Sequence, residues 1–270
     1  MKKTRIAAQG LVLLGCGKMG SAMLAGWLER GLPAEKVWVI EPVPSLWLRG
    51  TGVHINAPLP EAPAVVLVAV KPQMMGDALP AISALGGGQT VFVSVAAGTS
   101  LSSFEAAFGA TTPIVRAMPN TPAAIGRGIT AICANAAGQG ALDEAAELLS
   151  AVGDVVRLEG EAQMDAVTGV SGSGPAYVFH LIETLAAGGA AQGLSPDLAM
   201  QLAKATVAGA GALAMQSDDD PTQLRVNVTS PNGTTQAALE VLMDEAAGFP
   251  SLLPRAVAAA TKRSEELSRG

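Results

Sequence analysis

The chain has 270 residues, 49% of them apolar and only 3% aromatic, with a formal net charge of −6. That length suits one large domain or two moderate ones, with a core of Ala, Val, Leu and Met that favours close helix contacts. The acidic balance, with no run of Lys or Arg beyond the first five residues, argues against nucleic acid and anionic membrane surfaces as partners. Cys16 and Cys133 are too few for a disulfide framework and have no metal-ligand spacing, so no metal is expected and a reducing cytoplasm is the expected location. Glu183 and Lys204 interrupt the two longest apolar runs, short of the roughly 18–20 residues that span a bilayer.

At the start, Met1-Lys2-Lys3-Thr4-Arg5 followed by the apolar run 11–14 and Cys16 imitates a lipoprotein signal. Gln9 and Gly10 cut that apolar segment too short. From residue 11 to 158, strand-like runs at 11–14, 37–41, 64–70, 90–95, 113–117, 129–134 and 155–158 alternate with helical stretches such as 22–30 and 142–151. Most of the strands are apolar throughout, the pattern of a parallel sheet covered on both faces. The expectation is a Rossmann-type, doubly wound α/β domain over residues 1–160. The segment 42–52 is short, so its crossover helix is expected to shrink to a turn. Beyond 160 the strands stop, and 161–193, 197–216, 234–246 and 252–268 read as helices of a second domain, 161–270. Asp218-Asp219-Asp220-Pro221 reads as a solvated acidic turn between helices.

Gly15-Cys16-Gly17-Lys18-Met19-Gly20 follows the first strand and opens the first helix. In that position the first glycine permits a tight turn, the second lets backbone approach a pyrophosphate, and the third lets helix and strand close together. The helix N-terminus adds partial positive charge for phosphates. Glu41 ends the second strand 21 residues after Gly20, where a carboxylate can bond adenosine ribose hydroxyls; the plainer alternative is a side chain in solvent. A 2′-phosphate about 4 Å from that charge would lose roughly 1 kcal/mol in water and roughly 4 at an effective dielectric of 20. NADH is therefore expected over NADPH. Ala69-Val70-Lys71-Pro72 and Ala96-Ala97-Gly98 lie at strand ends on the ligand-binding edge of such sheets. Lys71 reads as a cofactor-facing cation or as an ordinary surface lysine.

The second domain must choose the substrate. Hydroxyacid dehydrogenases of similar layout carry a lysine on the interdomain helix, whereas here the matching position is Ala176 and no lysine occurs from 161 to 203. His54 lies in a turn-like region and His180 in mid-helix, so neither stands out as the proton donor that carbonyl reduction needs. A C=N bond suits the chain better, since an iminium arrives already protonated and hydride transfer then needs positioning. In Asn227-Val-Thr-Ser230-Pro-Asn232-Gly233-Thr234-Thr235, the Pro-Asn-Gly unit makes a tight turn with Gly233 free to take positive φ. The helix starting at Thr234 could hold a carboxylate on its free N–H groups, with a hydroxyl beside it for a ring nitrogen; alternatively Thr234 is merely an N-cap.

The run from Asp165 to Tyr177, DAVTGVSGSGPAY, resembles the pyrroline-5-carboxylate reductase family, as do 224–235 (LRVNVTSPNGTT), 116–122 (RAMPNTP) and 69–72 (AVKP), in the same order. The resemblance covers essentially the whole chain after about residue 10. It implies reduction of 1-pyrroline-5-carboxylate to L-proline by NADPH or NADH. It further implies that Thr235 approaches the ring nitrogen as the catalytic residue, that Ser230, Gly233 and Thr234 hold the substrate, and that Asn227 and Glu161 lie near substrate or cofactor. The family's usual assembly implies a homodimer through the helical domain, often built into a larger ring. Asn232 stands where the family commonly has glycine, and Glu41 where a small or basic residue is frequent.

Overall fold

The computed structural model describes residues 4–269, so Met1, Lys2 and Lys3 of the basic opening lie outside the described residues. The chain divides into two compact units, one running to Gly172 and resuming at Ala260, the other spanning Ser173–Ala259. In the first unit the order is α1 (Arg5–Gln9), β1 (Leu11–Leu14), α2 (Lys18–Glu29), β2 (Val37–Ile40), α3 (Leu46–Arg49), β3 (His54–Ile55), β4 (Val65–Val68) and α4 (Met75–Ala78). There follow β5 (Val91–Ser94), α5 (Leu101–Phe108), β6 (Ile114–Met118), β7 (Gly128–Ala134), α6 (Leu142–Leu149), β8 (Gly153–Arg157) and α7 (Met164–Val167).

The strands form one eight-stranded sheet ordered β3-β2-β1-β4-β5-β6-β7-β8. The first six in that order are parallel; β7 runs antiparallel to β6, and β8 parallel to β7. Alternate residues feed two cores. Leu11, Leu13, Val65, Leu67, Val91 and Val93 face α2 and α6 on one side. Val12, Leu14, Val66, Val68 and Phe92 face Phe104 and Phe108 of α5 on the other. Each large apolar side chain buried in this way contributes about 1.5–3 kcal/mol. Trp27, fully buried on α2, also donates its indole N–H to the Leu148 carbonyl at 2.9 Å, tying α2 to α6.

Three elements differ from the sequence expectation. The acidic turn is exposed and lies between helices as expected, but an unexpected helix, α10 (Pro221–Asn227), follows it: Asp220 Oδ1 accepts from the Gln223 N–H at 2.9 Å and caps it. An Asp-Pro pair fits a first helical turn as well as a bend. The region around His54 is a short edge strand, with the ring stacked on Trp38 at 4.7 Å. The expected helix 161–193 is broken by a π-helical turn, Thr168–Gly172, before α8 (Gly174–Ala191). Pro175 lacks an N–H and would clash with a straight preceding turn. The crossover at 42–52 does shrink, to the single turn of α3.

The second unit contains α8, α9 (Pro196–Gln216), α10, α11 (Thr234–Leu242) and most of α12 (Phe249–Arg269). Ala186, Ala199 and Ala203 form its small buried cluster, so small side chains do set the α8–α9 contact. Helix α9 is by length and composition apolar enough to cross a bilayer, although Lys204 lies within it.

At the head of α2, a Cβ on Gly20 would sit 2.4 Å from the Gly15 carbonyl oxygen. Alanine in an open helix position stabilises by about 1 kcal/mol relative to glycine. Here Gly20→Ala is expected to lower Tm by on the order of 5 °C, because strand and helix must part. Thermal unfolding followed by circular dichroism checks the sign, and an unchanged or higher Tm contradicts the close approach.

Candidate active site

Strand register builds the cofactor side. Leu14 is paired with Ile40 on one flank and with Val68 on the other, and Val68 with Ser94. The loops beginning at Gly15, Glu41, Ala69 and Val95 therefore leave the sheet side by side at one edge. This brings together all the expected cofactor residues, Gly15–Gly20, Glu41, Ala69–Pro72 and Ala96–Gly98.

Gly15 has φ +89, a conformation that favours glycine, and its N–H donates to the Ile40 carbonyl at 2.9 Å. Gly17 caps α2 with φ −69, and nothing lies within 4 Å of where its Cβ would be. That open face above a helix N-terminus fits a diphosphate. Lys18 and Lys71, in the loops at this edge, are both exposed. Met19 packs against the core, and Ala96 is buried with its N–H donating to Ser94 Oγ at 3.3 Å.

Glu41 does not reach into solvent. Its Oε2 accepts from the Cys16 N–H at 2.8 Å and its Oε1 from the Val43 N–H at 3.1 Å. The Asn56 side chain clamps the Glu41 backbone with two bonds of 2.9 Å. Burial, and secondarily the Glu41 charge, push the Cys16 thiol up to about 11. Burial and the Glu161 charge do the same to Cys133, also about 11, against the opposing pull of Arg116. Both thiols stay protonated near neutral pH and are poor nucleophiles.

Glu161 is engaged within the first unit. Its Oε1 accepts from Arg116 Nη1 at 2.6 Å and from the Leu101 N–H, at the head of α5, at 2.8 Å. Arg116 is only 5% exposed, so this carboxylate is its counter-ion. In the sequence Arg116 belongs to the RAMPNTP run, with no task evident from the residues alone. The available signal was a lone guanidinium in an apolar strand, which must find a buried partner. Asn120, in the same motif, accepts from the Ile129 N–H at 3.0 Å and donates to Ser171 Oγ at 3.3 Å.

In the second unit, the turn before α11 corrects one expectation. Asn232, not Gly233, takes the left-handed conformation, with φ 56. Asn tolerates that region, which explains its presence in place of glycine. Gly233 is extended at φ −87 and is itself the N-cap, so Thr234 is the first helical residue and not the cap. A Cβ at Gly233 would come 3.0 Å from the Ser230 carbonyl oxygen, and so size, not φ, favours glycine there. No side chain caps α11, and its first N–H groups remain available. Asn232 N–H donates to Gln236 Oε1 at 2.8 Å, fixing the turn. Among the described residues the Thr235 hydroxyl has no hydrogen-bond partner, and the side chain is partly exposed. Asn227 is occupied: its amide accepts from Gln223 at 2.7 Å and donates to Asp219 at 3.1 Å.

Residues 161–267 match the sequence model for pyrroline-5-carboxylate reductase dimerisation, and residues 10–98 that for an NADP oxidoreductase, coenzyme F420-dependent. A pyrroline-5-carboxylate reductase of Pseudomonas aeruginosa is 39% identical over 265 residues, covering 96% of each chain. The chain belongs to the pyrroline-5-carboxylate reductase family. A second member, from Synechocystis, is 42% identical over 267 residues, covering 96% of this chain and 98% of its own. Among solved structures of the family, that from Coxiella burnetii superposes with a TM-score of 0.89 at 30% identity, covering 97% of this chain and 99% of its own. The Plasmodium falciparum structure, which has NADP bound, gives 0.82 at 28% identity, with 96% and 98% covered.

Glu161→Ala would strand the Arg116 charge and free the head of α5. The expected cost is about 2–4 kcal/mol, below the fully buried range because Glu161 remains 30% exposed. Glu161→Gln, which keeps an acceptor for both donors, should lose less than half of that. Chemical denaturation of both variants checks the order, and equal stabilities for Glu161→Ala and the parent would show that the pair contributes nothing.

Proposed function

We propose that this chain reduces 1-pyrroline-5-carboxylate to L-proline at the expense of NADH or NADPH, the last step of proline biosynthesis. The observation that carries this reading is the start of α11, a preset turn with uncapped N–H groups and, among the described residues, a Thr235 hydroxyl without a hydrogen-bond partner. It lies within a chain similar to this family over nearly its full length.

Residues 1–160 serve as the dinucleotide-binding domain, and 161–270 as the substrate-binding and dimerisation domain. The dinucleotide would be held by residues 15–20 through loop N–H groups and the head of α2, flanked by 69–72 and 96–98; bound there, it supplies a hydride for the C=N carbon. The N–H groups of Thr234 and Thr235, at the uncapped start of α11, hold the substrate carboxylate, aided by Ser230. Thr235 Oγ1 accepts from the ring N–H while the substrate is an iminium. As the C=N π electrons settle on nitrogen, the same hydroxyl can turn and donate to the new lone pair. A neutral group suits both states. No protein acid is needed, because the ring proton arrives with the substrate.

Exposed apolar side chains on α8 and α9, among them Phe179, Leu202, Leu213 and Met215, support a homodimer, with rings of dimers beyond it. A cavity of about 390 Å³ lined by Ile129, Val156, Val167 and Val170 adds apolar surface on the first unit. The proposed location is the cytoplasm. Light scattering should give at least twice the monomer mass at micromolar concentration, and a monomer would contradict the assembly.

The direct test follows cofactor oxidation on addition of pyrroline-5-carboxylate, with a 3-hydroxyacid and oxidised cofactor as the contrasting reaction. Imine-dependent oxidation alone is expected. Thr235→Ala should raise KM for the imine and lower kcat by about tenfold or more, with an unchanged Tm. Unaltered kinetics would remove the hydroxyl from the reacting centre.

A further inference from the structure

We infer that Glu41 makes this enzyme select the cofactor without a 2′-phosphate, NADH over NADPH, because its carboxylate is fixed in advance at the mouth of the glycine loop. This rests on the reading of that loop as a dinucleotide site.

Register places Glu41 one residue past β2, directly beside the loop that starts at Gly15. The residue is held there by four hydrogen bonds, two to its carboxylate from the Cys16 and Val43 N–H groups and two between its backbone and the Asn56 side chain. The clamp makes swinging away costly, since the Cys16 and Val43 amides would lose their acceptor.

The acceptor count fits a diol. A carboxylate offers about four lone-pair sites. One on each oxygen is taken by a backbone N–H, which leaves two for the vicinal hydroxyls of an adenosine ribose. A 2′-phosphate has no comparable donors and brings negative charge against negative charge.

Among the described residues no basic side chain forms an ion pair with Glu41. The basic side chains between Glu41 and Asn56 are Arg49 and His54. Arg49 Nε donates to the Pro44 carbonyl at 3.2 Å. His54 stacks on Trp38 and directs Nε2 to the Glu35 carbonyl at 3.1 Å. A site built for a 2′-phosphate would present such a cation to the ribose edge.

The test measures binding without catalysis. NADH and NADPH are titrated separately onto the protein with no imine present, followed by nicotinamide fluorescence. NADPH is expected to bind about tenfold or more weakly, in the range set by one charge contact. In Glu41→Gln the gap should close to within about threefold. In the parent it should also narrow as salt rises from about 0.02 M to about 0.5 M, a check that needs no variant. Equal or tighter NADPH binding by the parent, or a gap that survives in Glu41→Gln, overturns the inference while leaving the imine-reductase reading intact. Failure of both cofactors to bind overturns the dinucleotide site beneath it.

Discussion

The approach of α2 to the end of β1 is the contact on which the cofactor side depends. Gly20 lies so close to the Gly15 carbonyl that no side chain fits between them. Because helix and strand meet there, the N-terminus of α2 opens at the sheet edge where Glu41, Ala69 and Val95 also emerge. Local sterics, strand register and the helix dipole thus act at one place. The carboxylate of Glu41 then ties the loop to its neighbour strand end, so the loop's geometry and the charge at its mouth belong to the same group.

The substrate side follows a parallel logic with different residues. A helix start normally satisfies its first N–H groups with a Ser, Thr, Asn or Asp cap. At α11 the cap is glycine, and the donors stay open at some cost to helix stability. Neighbouring α9 and α10 begin with capped turns, at Ser195 and Asp220. The contrast is local and specific, as expected where free donors serve a carboxylate. The preceding turn needs one left-handed residue, and Asn232 supplies it.

Much of this architecture was legible from residues alone. Seven of the eight strands coincide with runs read from the sequence, and the central ones are plain because a parallel sheet buried on both faces has no polar alternation to confuse the reading. The strand at His54 was not legible, since two edge residues leave no periodic trace. The antiparallel direction of β7 depends on a short connection through residues 119–127, which composition does not reveal. Helix α10 was hidden by an acidic Asp-Pro start that signals turns and caps alike. At the site, the glycine loop was readable from spacing, whereas the Arg116–Glu161–Leu101 connection was not, for it joins residues up to 60 positions apart. The assignment of positive φ to Gly233 failed because Asn and Gly compete for left-handed positions, and the neighbouring Ser230 carbonyl decided between them.

On the proposed function, the first turn of α11 grips the substrate. A crystal structure of the protein with L-proline tests it most directly. The carboxylate is expected within hydrogen-bonding distance of the Thr234 and Thr235 N–H groups, with the ring nitrogen within reach of Thr235 Oγ1. Proline bound away from that turn, with Thr235 contacting only water, would contradict it.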